Sequence, residues 1–170
     1  TGHVSPGMRS RCRPLGECAG SCEDVLIHHY SIASPAVDRF MGSPAKKILV
    51  YHNITPAHFF NGFDDSIARK LNEARDGLRA VLPRMNANWA VSKYDAQELV
   101  DMGARNSRVF PLLFEAGALD VQADPNVFKK FSAPMRNILF VGRVAPNKRI
   151  EDLILAFAWY DRTISRNVRL

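Results

Sequence analysis

The chain has 170 residues, of which 46% are hydrophobic and 24% charged, a balance that excludes an intrinsically disordered chain and suits one ordinary domain or parts of two. No apolar run approaches the roughly 20 residues of a membrane-spanning helix. The net charge is +6, and the whole excess lies in residues 129–170, which hold nine Lys or Arg against three Asp or Glu, while residues 1–128 hold fourteen of each. Such a cluster attracts phosphates, nucleic acid or anionic lipid, unless an acidic segment elsewhere balances it.

Residues 1–22 are rich in Gly, Pro, Ser, Cys and Arg and read as irregular structure. The chain opens without Met and without a charged-then-apolar leader, so no signal peptide is expected. Cys12, Cys18 and Cys22 have neither the paired spacing of a zinc ribbon nor a following His, and their odd number argues against a complete disulfide framework. Reduced thiols are the simplest reading.

Asp24 to Tyr30 (DVLIHHY) and Lys46 to Tyr51 (KKILVY) are short continuous apolar runs, the pattern of strands in a parallel sheet. Between them, Ala36 to Met41 predicts a short helix. Asp64 to Leu82 predicts the clearest helix: Ile67, Leu71, Ala74, Leu78 and Val81 form one stripe, Asp64, Asp65 and Ser66 supply the start, and Pro83 the stop. Asn88 to Val91 is a short strand. Ser92 then caps a helix through Met102, with Asp95 as its capping-box partner and Gly103 as the left-handed stop. Arg108 to Phe114 predicts a strand that Pro111 interrupts or ends.

Glu115 to Pro134 has little periodicity and reads as a connection. Asn137 to Val141 (NILFV) is a further strand, Arg143 to Arg149 a polar loop, and Ile150 to Tyr160 a helix with Ile150, Leu153, Ile154 and Phe157 on one face. Asn167 to Leu170 begins another strand. Strands alternating with helices imply an α/β sheet with right-handed crossovers.

Two constellations carry chemistry. In GRVAPNK, Gly142 to Lys148, a strand end passes into a helix start, where ligands of open parallel sheets bind. Gly142 allows close backbone approach, Arg143 offers a planar fork for phosphate, and Lys148 a mobile charge. A solvated basic loop is the plain alternative. In YHNITP, Tyr51 to Pro56, His52 follows a strand and can bond a hydroxyl or phosphate, or move a proton near neutral pH; a His that ties down its own loop is the alternative. His28 and His29 also end a strand, and one of them must face the other side. His58 with Phe59, Phe60 and Phe63 suggests packing. Ser92 is explained by capping, with a ligand contact as a secondary role. GxSxG, HExxH, Walker and GxGxxG motifs are missing, which argues against serine hydrolases, zincins, P-loop nucleotidases and nicotinamide enzymes.

Three segments in order resemble the retaining glycosyltransferases of the GT-B fold, the broad group called family four or group 1. They are DVLIHHYSIASP with KKILVYHNITPAHFF, then NWAVSKYDAQELVDMGARNSRVFPLLF, then NILFVGRVAPNKRIEDLILAFA, and together they cover Asp24 to Ala158. YHNITP is similar to a bacterial subgroup acting on cell-surface polysaccharides or glycolipids. The resemblance implies hexosyl transfer from a nucleotide diphosphate sugar, with retention, to a carbohydrate or lipid-linked acceptor. It implies no metal and no cofactor beyond that co-substrate. Gly142, Arg143 and Lys148 would hold the donor diphosphate, His52 would be catalytic, and Asn53 and Ser92 would be further cleft contacts. The family's glycine-rich loop near the amino terminus, with the first strand it follows, is missing, and its ExxxxxxxE motif would lie beyond Leu170.

The expectation is therefore an α/β, GT-B architecture of two Rossmann-like domains, truncated at both ends and inactive as this piece alone. Residues 1–114 would be a partial acceptor-side domain, 115–134 a linker, and 135–170 the start of the nucleotide-sugar domain. The expected location is the cytoplasm, with peripheral contact at the inner membrane face where the acceptor is a lipid, and no nucleic-acid partner. The alternatives are a GT-B nucleotide-sugar epimerase, or a non-catalytic basic module docking on membrane or nucleic acid.

Overall fold

The computed structural model describes residues 4–17 and 20–170, and Cys18 lies outside them. The chain divides into two compact units, Thr1–Leu112 and Leu113–Leu170.

The first unit is an α/β fold of Rossmann-like character. Its elements alternate as β1 (Val25–Tyr30), α1 (Ala36–Gly42), β2 (Lys46–Tyr51), α2 (Asp65–Val81), β3 (Ala87–Ala90), α3 (Lys93–Asp101) and β4 (Ser107–Val109). The four strands pair in sequence order and all run parallel. Tyr30, Tyr51, Ala90 and Val109 share the last paired row, so the chain leaves every strand at the same edge. The helices form where local chemistry stops the strands. Asp64 accepts the Ile67 N–H at 3.0 Å and caps α2, while Ser92 accepts the Asp95 N–H at 3.1 Å and caps α3. Gly103, at φ 103°, takes the left-handed conformation that follows α3.

All three helices cover one face of this sheet. Tyr30, Leu49, Tyr51 and Ala90 point to that face and bury against Ala68, Leu71, Ala74 and Leu78 of α2 and Leu99 of α3. Phe40 of α1 is buried there too, its ring 5.2 Å from that of His28. The buried stripe of α2 starts at Ala68, and Ile67, expected in it, is 38% exposed. The opposite face carries Val25 and Ile27, the latter 53% exposed, and Trp89, whose ring stacks on Phe110 at 4.9 Å. Of the aromatic group expected to pack, Phe60 reaches the core, whereas Phe63 is 73% exposed on its turn.

β4 is shorter than the expected Arg108 to Phe114. Phe110 N–H still donates to the Ala90 carbonyl at 2.7 Å, but Pro111 has no N–H and the ladder ends there.

In the second unit, β5 (Arg136–Asn137) and β6 (Val168–Arg169) pair in parallel, joined through α5 (Ile150–Thr163) and preceded by α4 (Pro125–Phe131). α4 lies within the connection expected over Glu115 to Pro134, where no helix was expected. Asp124 accepts N–H bonds from Asn126 and Val127, and Pro125 occupies the first turn, where its missing N–H costs nothing. β5 is much shorter than NILFV. The ladder runs only as far as the Ile138 N–H, which donates to the Arg169 carbonyl. Leu139 and Val141 are each 83% exposed. Among the described residues, no helix of either unit is long and apolar enough to cross a membrane. Cys12 and Cys22 are exposed free thiols.

Candidate functional site

The shared exit edge of the four strands is where an open parallel sheet places its ligands. The five-residue loop 52–56, directly after β2, is built on this edge and is held from three sides. His52 N–H donates to the Tyr30 carbonyl at 2.9 Å, so this residue still belongs to the backbone ladder. The Ile54 N–H donates to the Tyr51 hydroxyl at 3.0 Å, and Arg75 of α2 donates to the Ile54 carbonyl at 2.5 Å. Arg75 also pairs with Glu98 of α3 at 2.7 Å, and the Tyr51 hydroxyl donates to the other Glu98 oxygen at 2.5 Å. Both charged side chains are mostly buried, so the ion pair is poorly screened and has few other partners to choose. Burial, then the Glu98 bond, pushes the Tyr51 phenol well above its ordinary range.

Asn53 sits at φ 65°, a left-handed conformation that Asn accepts more readily than most residues. Its amide donates to Asp95 Oδ1 at 2.8 Å, and Ser92 Oγ donates to Asp95 Oδ2 at 2.6 Å. The carboxylate is therefore shared between the loop after β2 and the start of α3. In a capping box it would accept the Ser92 backbone N–H; here both oxygens are engaged by side chains. Asp95 is buried, and the first turn of α3 places a partial positive charge beside it.

His52 and His29 meet across the β1–β2 edge, with His29 Nδ1 and His52 Nε2 only 2.6 Å apart. Burial lowers the His52 pKa, the His29 ring lowers it further, and Asp95 partly opposes both. The ring is neutral over more of the pH range than a free imidazole. His28 faces the helices, where burial, then His29, depresses its pKa.

Of the expected site residues, Asn53 and Ser92 thus meet through Asp95, and His52 adjoins Asn53 on the same loop and faces His29. Gly142, Arg143 and Lys148 belong to the second unit. Gly142 and Arg143 are exposed, and Lys148 lies in the turn Pro146–Lys148 just before α5. A Cβ on Gly142 would come within 3.0 Å of the Phe140 ring, so a larger residue would displace that ring. Among the described residues neither Arg143 nor Lys148 joins an ion pair, whereas Arg149, at φ 47°, is engaged by Asp152 at 2.5 Å. Glu151 and Asp152 in the first turn of α5 oppose an anion at that helix end.

Sequence reasoning passed over Asp95, Arg75 and Glu98 as site residues. Asp95 and Glu98 stand three apart on α3 and so share a face, which was the available signal. A depression of about 460 Å³ lies at the opposite, entry edge of β3 and β4, lined by Asn86, Asn88, Asn106 and Arg108. It holds none of the expected site residues. No protein-family model, curated protein or solved structure matches the chain.

Proposed function

We propose that the chain belongs to a retaining glycosyltransferase that moves a hexose from a nucleotide diphosphate sugar to a carbohydrate or lipid-linked acceptor. The observation that carries this reading is the anchored His52: a largely neutral imidazole, one residue beyond a parallel strand, on a loop fixed by Tyr51, Arg75 and Asp95. Such a group can bond a sugar hydroxyl or move its proton near neutral pH. Asn53 and Ser92 hold the loop through Asp95, and this accounts for them without direct ligand contact. In the second unit Arg143 and Lys148 are exposed and outside any ion pair among the described residues, which leaves their charge available for the donor diphosphate. Cations placed there would stabilise the departing nucleotide by preorganised charge. The resemblance of the three segments to group 1 glycosyltransferases supplies the reaction class.

The test is a product assay on the full-length protein with a panel of nucleoside diphosphate hexoses, with and without carbohydrate and lipid-linked acceptors. Turnover should require an acceptor; conversion of the donor alone would instead mark an epimerase. Arg143→Ala and Lys148→Ala should each raise KM for the donor or lower kcat by about 10–1000-fold, about 1.4–4 kcal/mol of transition-state stabilisation. Unchanged kinetics in both variants would remove the diphosphate role.

A further inference from the structure

The contact between His29 and His52 constrains protons more tightly than the transfer reading requires. Their facing nitrogens stand 2.6 Å apart. Two lone pairs repel at that distance, and two N–H groups collide, so the gap accommodates a single proton. A metal ion does not fit the gap either. Two imidazole nitrogens, each about 2.0–2.1 Å from one metal, stand about 2.9–3.4 Å apart. Among the described residues no third His, Cys, Asp or Glu completes a ligand set.

We propose that His29 and His52 act as one acid–base unit that carries a single positive charge at most, with one proton held between their facing nitrogens. In the neutral pair one outer nitrogen is bare. It can take the proton of an incoming hydroxyl, whose electron pair stays on oxygen, and the charge spreads over both rings through a charge-assisted N–H···N bond. In the charged pair both outer nitrogens carry hydrogen, and the unit presents two donors to an oxygen-rich ligand such as a sugar or a phosphate. A second charge would place two protons in the gap and force the rings apart. The catalytic use of this unit rests on the reading of His52 given above, whereas the proton sharing rests only on the contact.

Few charges surround the pair among the described residues. Asp95 approaches from α3 and favours the charged form of His52, and His28 lies beside His29 on β1 but faces the helices. Arg108 of β4 is in the same row as His29, three strands away through Val50 and Trp89. Arg75 and Glu98 neutralise each other. None of these replaces His29 as the immediate partner.

Histidine ring NMR across about pH 5–8 tests the unit directly. In the native chain both rings should report the same first protonation step, with the second held at least about one pH unit lower, as strongly coupled sites do. His29→Gln should move the His52 midpoint up towards the ordinary 6.5, and Asp95→Asn should move it down. Independent titration of both rings in the native chain, with His52 unmoved by His29→Gln, would overturn the proposal. So would tight binding of one equivalent of Zn²⁺ through both rings at neutral pH, since the gap would then belong to a metal. If the full-length protein turns over no nucleotide sugar while the coupled titration is found, the transfer reading falls and the proton-sharing unit stands.

Discussion

The two units use the same strand–helix–strand alternation and differ in what it buries. In the first, Tyr30, Leu49, Tyr51, Ile54, Leu78 and Leu99 are almost wholly removed from solvent, and the polar groups at the sheet edge close on one another. In the second, Val168 is the only buried hydrophobic among the described residues, and Val144, between the expected phosphate ligands, is 90% exposed. One parallel pair with one crossover helix cannot enclose a core, because each element presents an apolar face and has too few partners to cover it. The lesson concerns position as much as stability. The first unit can hold His52 to a fixed geometry, whereas the cations of the second are carried on an exposed connection.

The largest effect expected from this contrast is at Leu78. Leu78→Ala should cost about 2–5 kcal/mol of unfolding free energy in urea titrations, the usual range for emptying a closed core site. A loss under about 1 kcal/mol would mean that the first unit is no better packed than the second. A smaller, pH-dependent effect belongs to Tyr51. Its folded-state pKa lies above its unfolded value near 10, because burial disfavours the phenolate. Stability from this group is whole below that value and is lost as pH rises above it, since the unfolded chain then gives up the proton more readily. The denaturation midpoint should therefore fall on the alkaline side, and Tyr51→Phe should flatten that fall. The smallest effect is at Leu155 of α5, which is 68% exposed. Leu155→Ala should change stability by no more than about 0.5 kcal/mol, and a larger loss would reveal a hidden core in the second unit.

Much of the first unit was legible because each element announced itself twice. α2 has an apolar stripe and also Asp64 before it and Pro83 after it, and the structure starts and stops it within two residues of those signals. The strands β1 and β2 are apolar runs long enough to stand out. In the second unit the same reasoning found α5 and β6 but failed elsewhere in both directions. α4 was missed because its seven residues are too short for periodicity to show, although Asp124 followed by Pro125 is a helix start. NILFV looks like a strand by composition, but strand structure also needs a neighbour, and β6 supplies one only to Arg169. The site shows the same division. His52 could be found from its place after a strand. The engagement of Asp95 with Asn53 spans 42 residues of sequence, and no local pattern could reveal it.

The stacked pair Trp89 and Phe110 has a practical consequence. The sequence contains two tryptophans, and they fall one in each unit: Trp89 on the uncovered side of the sheet and Trp159 on α5. Each unit therefore carries a single tryptophan, whose emission can be excited apart from that of the tyrosines. Replacing either indole by phenylalanine leaves a chain whose emission reports on the other half alone, so melting of the two halves can be followed separately without any label.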